Sequence, residues 1–384
     1  MTAPARPAPG GWETRLLAIV MATLIVFGIA AVYGASSLVA VQQGDPGSAF
    51  ALRQLVGAAA GGVVFLAAAR SDYRVWQRLA WPLVALAAAL LAVPYLPGAR
   101  ALAPEINGAR RWIDLGIVTV QPSELTKFAV VVWTAMLATK KGDVVRDFRR
   151  GVLPFLVVVG PLSVLVLFQP DLSTAVDIAL LTGIVLFTAG ARIGHFLLLG
   201  LIAVPLLWRE IVTVQYRLSR MLTFLSPGGD AQEASWQITQ SLIGIGAGEV
   251  FGVGFGQGQQ KLGYLPYAYS DFIFSTIGEE WGFIGVCLIV LLFAVFIGVG
   301  FRIARTAPDA FGMLLAVGLT VLVGAAAVLH MAVTLALVPT TGLPLPFISY
   351  GRSSLLVSML AAGILINIGS GGRRRPDGRG RAAP

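Results

Sequence analysis

The sequence predicts an all-α integral membrane protein with ten transmembrane helices. Its 384 residues are 57% hydrophobic and only 12% charged, with a mean hydropathy of +0.81. Soluble domains carry about 25% charged residues. Long apolar runs recur along the chain without the period-two alternation of membrane β-barrels. Because backbone polar groups in lipid must bond within their own segment, we expect each run to be a helix.

Ten runs have about the 20 residues that a helix needs to cross a hydrocarbon core, or nearly so. The runs occupy residues 15–36, 50–69, 75–96, 121–138, 150–168, 173–190, 194–208, 272–300, 311–336 and 348–369. They form one membrane domain over 15–370, between a short N-terminal tail at 1–14 and a basic C-terminal tail at 371–384. Two long loops interrupt it, at about 97–120 and at about 209–271 between helices 7 and 8.

The basic residues predict that both termini lie in the cytoplasm. With the N-terminus inside, the inner segments hold 18 of the 28 Lys and Arg residues, in agreement with the positive-inside rule. These 18 lie before residue 16, at 70–78, 140–150, 192 and 302–305, and at 373–381. A scattered distribution along short inner segments favours contact with anionic membrane lipid over nucleic acid. Both long loops then face the outside.

Carboxylates at the outer edge of the eighth run suggest a functional site. Asp271 lies at the joint between a polar loop and an apolar helix, and Glu279 and Glu280 follow. Ionised groups are costly at membrane depth and for that reason usually mark function. The alternative for Asp271 is a purely structural role as the N-cap of the helix, which Asp fills well.

A second candidate group surrounds the helix that opens with QPSELTK. Lys127 and Glu124 are three residues apart on one helical face, which permits a structural ion pair. The functional alternative, which we favour, is a lysine exposed to a cavity that binds an anionic head group. Arg110, Arg111 and Arg352 add positive charge near the predicted outer face.

Two further segments carry polar residues at helix ends. Asp171 begins a helix after Pro170, where pairing with the helix dipole is its expected role. The segment Pro339–Ser354, which includes Ser349, interrupts apolar sequence with three prolines and two glycines. Such breaks survive at membrane depth only where protein or a wet cavity covers the backbone, so we expect a cavity-lining segment.

The sequence also excludes some chemistry. His195 and His330 are the only histidines and lie far apart, which argues against a histidine-based metal site. The glycine-rich stretch Gly244–Gly258 follows no strand and lacks the GK[ST] ending of a nucleotide-binding loop. The single cysteine, Cys287, lies in an apolar run and permits no intrachain disulfide.

The motifs together resemble the SEDS family of shape, elongation, division and sporulation proteins. They are NGARRWIDLG, QPSELTKF, QPDLSTA, QSLIGIGAGEVFGVGFGQG, KLGYLPYAYSDFIFSTIGEE and GLPLPFISYGRSSLL, in that order. The resemblance is closer to the FtsW branch than to the RodA branch. It implies ten transmembrane helices in the bacterial cytoplasmic (inner) membrane and peptidoglycan glycosyltransferase activity on lipid II. It also implies a class B penicillin-binding protein as the transpeptidase partner.

Carried over residue by residue, the resemblance places the catalytic carboxylate at Asp271, a loop tryptophan at Trp112 and a helix lysine at Lys127. The chain departs from the family pattern at five positions: Tyr267, Tyr269, Ser270, His330 and Arg352. These departures concern the surroundings of the site and leave the catalytic position intact.

The implied chemistry is an inverting glycosyl transfer. Asp271 would remove a proton from an acceptor hydroxyl, while Lys127 with Arg110 or Arg111 would stabilise the pyrophosphate leaving group. A divalent cation, Mg²⁺ or Mn²⁺, could assist as a Lewis acid. Two alternatives are a flippase for the lipid-linked precursor and a non-catalytic scaffold for the transpeptidase. Small residues on the last two runs, such as Gly318 and Ala325, could pack a partner helix or pack within the bundle.

Overall fold

The computed structural model describes residues 11–96, 99, 102–105, 109–114, 116, 119–225 and 233–372, and these residues are mostly helical. The predicted all-α class is confirmed. Twelve α-helices follow one another. They are α1 Gly11–Gln42, α2 Ala49–Arg70, α3 Arg74–Ala92, α4 Pro122–Lys141, α5 Leu153–Phe168, α6 Leu172–Thr188, α7 Ile193–Thr213, α8 Gln215–Leu225, α9 Glu233–Ala247, α10 Ile273–Thr306, α11 Ala310–Thr334 and α12 Arg352–Gly369.

Each of the ten predicted apolar runs coincides with one of these helices, α1–α7 and α10–α12. Eight of the described helices are long and apolar enough to cross a membrane by length and composition. The other two are α4, which carries Glu124 and Lys127 in its first turns, and α6, which has only 17 residues. The number of ten spans stays a prediction.

The bundle is built around α4 and α11, which are buried along most of their lengths. Trp133 of α4 is 1% exposed and packs edge-on against Trp81 and Phe155, with ring centroids 5.4 Å and 5.6 Å away. Aromatic pairs in this geometry add stability beyond their buried area. Helix α4 is therefore an interior element enclosed by other helices.

Two small residues of the last two long helices, Gly318 and Gly363, pack within the bundle. A methyl group added at Gly318 would lie 2.5 Å from Val131 of α4, and one at Gly363 would lie 2.6 Å from the Phe65 carbonyl of α2. Small residues permit such close approach of helix backbones. At both positions the internal alternative is correct, and a partner helix is not needed to explain them.

Helix α7 lies at the periphery and differs from the other long helices in its packing. None of its residues is buried. It continues to Thr213, so the predicted outer loop begins later than residue 209. That loop contains two helices, α8 and α9, and α9 packs against α10.

The other predicted loop, at about 97–120, contains a short antiparallel hairpin. Its strands are β1 (Ile113–Asp114) and β2 (Thr119–Val120), and Ile113 pairs with Val120. The Gln121 N–H donates to the Ser353 hydroxyl at 3.0 Å, which ties the start of α4 to α12.

Helix α10 is interrupted at Gly282, whose φ of 64° and ψ of −163° are not helical. The segment 248–254 fills the break. Val253 donates its N–H to the Glu279 carbonyl at 2.9 Å, and Phe283 donates to the Glu249 carbonyl at 2.9 Å. These bonds satisfy backbone groups that the break would leave unpaired, as required where water is scarce.

Candidate active site

Asp271 lies two residues before the start of α10 and does not cap it. The N-cap position belongs to Phe272, and no side chain bonds the first turn there. The Asp271 N–H instead donates to the Tyr267 carbonyl at 3.0 Å, in a turn where Tyr267 has a φ of 56°. The structural alternative of a capping aspartate is therefore wrong, and the carboxylate is free for another role.

The residues before Asp271 are fixed to the segment that joins α11 to α12. Ser349 donates its hydroxyl to the Ser270 carbonyl at 2.7 Å and accepts the Leu345 N–H at 2.8 Å. The Tyr350 N–H donates to the Tyr269 carbonyl at 3.0 Å. The structure thus brings the predicted supporting residue Ser349 next to the catalytic candidate.

The first two helices support the same joining segment from behind. Gln54 of α2 donates from Nε2 to the Ser349 carbonyl at 3.0 Å. A methyl group added at Gly28 of α1 would lie 2.6 Å from Cα of Ile348, so only glycine permits this contact. Elements from both ends of the chain therefore hold the backbone beside Asp271.

The surroundings of Asp271 shift its ionisation. Burial raises the pKa of its carboxyl from 3.8 to about 6, and a hydrogen bond from Ser270 and the charges of Arg220 and Arg111 partly offset the effect. Desolvation disfavours the charged form of a carboxylate, while nearby cations favour it. The pKa of the carboxyl therefore lies nearer to neutrality, as a general base requires. The carboxyl group is still mostly ionised at pH 7.

The two arginines whose charges act on Asp271 lie in different elements. Arg111 precedes β1 and donates from Nε to the Gln169 carbonyl at 2.8 Å and from Nη2 to the Pro170 carbonyl at 2.6 Å. Arg220 of α8 donates to the Thr340 carbonyl at 3.0 Å. A guanidinium has five donors, so each arginine can bind an anion while it holds its carbonyl.

Arg110 and Trp112 do not share these contacts. Arg110 lies 3.5 Å from Glu105 and lines a cavity of about 330 Å³ together with Tyr95 and Phe168. Trp112 is half-buried beside the hairpin. The roles predicted for both in substrate binding stay predictions.

Lys127 is not exposed to a cavity, contrary to the expectation that we favoured. Its ammonium group lies 2.9 Å from Glu124 and 3.5 Å from Asp177 of α6, and its side chain is 3% exposed. The three charges form a closed cluster between α4 and α6. This geometry supports the structural alternative, because an ammonium group paired with two carboxylates cannot bind a ligand without loss of these ion pairs.

Other predicted residues also have structural partners. Asp171 caps α6 by accepting the Thr174 N–H at 3.1 Å. Glu279 accepts the Gln259 N–H at 2.6 Å, and Glu280 pairs with Lys261 at 3.2 Å. The two glutamates therefore hold the 248–262 segment instead of joining Asp271.

Arg352 lies at the start of α12 and donates to the Thr119 hydroxyl at 3.2 Å. It connects α12 to β2. A methyl group added at Gly57 of α2 would lie 3.2 Å from its Cγ, so the side chain also packs on that helix.

The sequence reasoning missed three residues near these clusters. Asp177 was overlooked although it is a charged residue in an apolar run, and Gln54 although it is a polar one. Gly342 approaches Asp271 so closely that an added methyl group would lie 3.6 Å from Oδ2. Its position next to two threonines in a helix-breaking segment was the available signal.

The residues that the structure describes do not form a protein-built metal site. Among them no group of three or more His, Cys, Asp or Glu side chains is placed to hold a cation. Asp271 is a single carboxylate flanked by arginines, which repel a cation. We therefore derive no step of the reaction through a metal.

Residues 14–373 match the family described as cell cycle protein, which groups FtsW, RodA and SpoVE. The chain belongs to this family. It is 44% identical to the probable peptidoglycan glycosyltransferase FtsW of Trichlorobacter lovleyi, over 94% of each protein. It is 37% identical to the stage V sporulation protein E of Bacillus subtilis, over 92% of this chain and 96% of that protein.

Two solved structures share the fold of this family member. One chain comes from a peptidoglycan synthase complex described as coordinating polymerization and crosslinking, with a TM-score of 0.74 and 27% identity. The match covers 92% of this chain and 96% of that one. The other is the rod shape determining protein RodA of Thermus thermophilus, with a TM-score of 0.65 and 26% identity over 91% and 95% of the two chains.

Proposed function

We propose that this protein is a peptidoglycan glycosyltransferase that polymerises lipid II into glycan strands. Family membership and a 44% identical relative with that activity in its name support the assignment. The observation that carries the mechanism is Asp271, a single partly buried carboxylate whose pKa is raised to about 6 and which two arginines approach.

Asp271 acts as the general base in this proposal. It accepts the proton of the acceptor hydroxyl as that oxygen attacks the anomeric carbon of the donor sugar. A base must lie about 2.6–3.2 Å from the oxygen whose proton it removes. The oxygen attacks as the bond to the pyrophosphate breaks, so the configuration of the donor carbon inverts in one displacement.

Arg111 and Arg220 stabilise the pyrophosphate leaving group. Fixed cations in a poorly hydrated site stabilise developing negative charge more strongly than water does. Both are held by backbone carbonyls and need little reorganisation. We assign this role to them in place of Lys127, whose ammonium group forms ion pairs with Glu124 and Asp177.

The proposal places the Asp271 end of the bundle at the outer face of the bacterial cytoplasmic membrane. Ten spans with both termini in the cytoplasm bring the loops around Asp271 to that face. The class B penicillin-binding protein implied by the resemblance works there as partner. The proposal includes Mg²⁺ or Mn²⁺ bound to the pyrophosphate of the substrate, since cations of this kind are often held by substrate phosphates.

An assay on the purified protein with labelled lipid II tests the assignment. We expect glycan chains from the wild type and, from Asp271→Asn, a loss of at least 100-fold, because a positioned base contributes about 10²–10⁴-fold. Glu105→Gln is the control, since Glu105 is an exposed carboxylate at the same end of the bundle. Polymerisation by the Asn variant at the wild-type rate would contradict the assignment.

The same assay in sealed vesicles separates the two alternatives. Movement of lipid II between leaflets without polymer would identify a flippase. Neither polymer nor movement, with retained binding of the transpeptidase, would identify a scaffold. The proposed enzyme requires polymer whose formation depends on Asp271.

A further inference from the structure

Two buried hydroxyl groups beside Asp271 lack a partner among the described residues. Thr340 and Thr341 lie in the segment between α11 and α12, and neither Oγ1 atom has a hydrogen-bond partner although both are shielded from solvent. A buried polar atom without a partner costs about 1–3 kcal/mol. Folded proteins hold few such atoms, and a water, an ion or a ligand can supply the missing partner.

The backbone next to these hydroxyl groups lies close to the catalytic carboxylate. Gly342 follows Thr341 directly, and a methyl group added there would lie 3.6 Å from Oδ2 of Asp271. Arg220, whose charge acts on Asp271, holds the carbonyl of Thr340 at 3.0 Å. The segment that carries the two threonines therefore forms one wall beside the carboxylate of Asp271.

The wall is held rigidly on both sides. His330 of α11 bonds the Leu343 carbonyl through Nδ1 at 2.8 Å, and the Ser349 hydroxyl bonds the Leu345 N–H at 2.8 Å. These bonds fix the backbone that carries the two threonines. Each hydroxyl can then turn towards a ligand by rotation about the Cα–Cβ bond, without movement of the backbone.

We propose that Thr340 and Thr341 bind the acceptor sugar. Their hydroxyls donate to and accept from hydroxyl or acetamido groups of the saccharide and hold its attacking hydroxyl against Asp271. The inference rests on the proposed function for the identity of the sugar. A saccharide fits the chemistry, because its many groups are both donors and acceptors, as a threonine hydroxyl is.

Substitution by valine tests the proposal, since valine keeps the shape of threonine and removes the hydroxyl. With lipid II as substrate we expect kcat/KM to fall about tenfold for Thr340→Val or Thr341→Val and about 100-fold for the pair, mainly through KM. Thr340→Ser and Thr341→Ser keep the hydroxyl and should stay within about threefold of the wild type.

The matched control is Thr320→Val. The Thr320 hydroxyl is buried in α11 but bonds the Ala316 carbonyl at 2.7 Å, far along the helix from the site. We expect it to leave KM unchanged. Without ligand, the double valine variant should unfold at the wild-type temperature or above it, because it removes two unpaired polar atoms.

A binding measurement separates this proposal from the assignment of the enzyme. In the Asp271→Asn background lipid II is not consumed, and the two valines should raise its Kd at least tenfold. An unchanged Kd overturns the proposal that Thr340 and Thr341 bind the sugar, even if polymerisation by the wild type supports the assignment of the enzyme. Loss of activity together with a lower unfolding temperature in the valine variants also overturns it, because the hydroxyls would then hold the fold.

Discussion

At the scale of single residues, the proposed role of Asp271 predicts how activity depends on pH. As the proposed general base, its carboxylate must be ionised to accept a proton, and its pKa is about 6. We therefore expect kcat/KM to fall about tenfold per pH unit below that value and to level off above it. Initial rates between pH 5 and 8 measure this fall. A fall in kcat/KM centred near pH 4 instead would mean that burial does not raise the pKa of the proposed base.

The raised pKa of Asp271 also lowers the stability of the folded protein at neutral pH. An unfolded aspartate titrates near 3.9, and the folded Asp271 near 6. Between these values the folded state holds the proton that the unfolded state has lost, so stability falls as pH rises through the interval. Asp271→Asn should therefore unfold at a higher temperature than the wild type at pH 7.5. The difference should disappear near pH 4, which thermal scans at both values would check.

The residue scale also indicates what the sequence alone can predict. The position of Asp271 follows from the change from polar to apolar sequence, and the family motif assigns its role. The burial of Lys127 could not be foreseen, because Asp177 lies fifty residues later and meets it only when α4 packs on α6. The approach of Arg220 likewise depends on how the short helix α8 docks.

At the scale of elements, the Glu124–Lys127–Asp177 cluster joins α4 to α6. Lys127→Met would leave two buried carboxylates without a countercharge, which typically costs about 3–5 kcal/mol. We expect the variant to accumulate poorly in the membrane. Adding Glu124→Gln and Asp177→Asn removes the uncompensated charge and should restore the yield. Fluorescence size-exclusion chromatography of each variant measures this, and a triple variant as poor as Lys127→Met would contradict it.

A second prediction at the level of secondary structure concerns the break in α10. Gly252 has a φ of +81°, and a methyl group added there would lie 2.3 Å from the Glu280 carbonyl. Gly252→Ala should therefore displace the 248–254 segment and lower the unfolding temperature by several degrees. Gly246→Ala is the control, because it lies in α9 with open space around it and alanine favours a helix. Equal unfolding temperatures would mean that the segment is not held at the break.

The long helices were predictable and the connecting segments were not, for a physical reason. A helix in lipid is determined by its own apolar run, since its backbone bonds are internal. Helices α8 and α9 and the 248–262 segment depend on distant partners such as Glu279 and Glu280. From sequence alone, the glycines of this segment predict an unstructured loop. In the structure, the break at Gly282 leaves backbone groups that the segment bonds.

At the scale of the whole molecule, the predicted topology can be tested with single cysteines. In a Cys287→Ala background, Gln43→Cys should react with a membrane-impermeant maleimide in spheroplasts. Ser71→Cys and Asp143→Cys should react only after permeabilisation. All three positions are exposed and lie between long helices. Labelling of Ser71→Cys in sealed spheroplasts would reverse the orientation.

The support of residues 348 and 349 by Gly28 and Gln54 has a consequence for biosynthesis. During translation α1 and α2 enter the membrane first. The segment between α11 and α12, which packs against them, is made almost last. During most of translation the faces of Gly28 and Gln54 have no counterpart, so lipid or an insertion factor must cover them. A chain that stops early can insert most of its helices, yet it lacks the wall beside Asp271. Such a chain therefore cannot assemble the complete surroundings of Asp271.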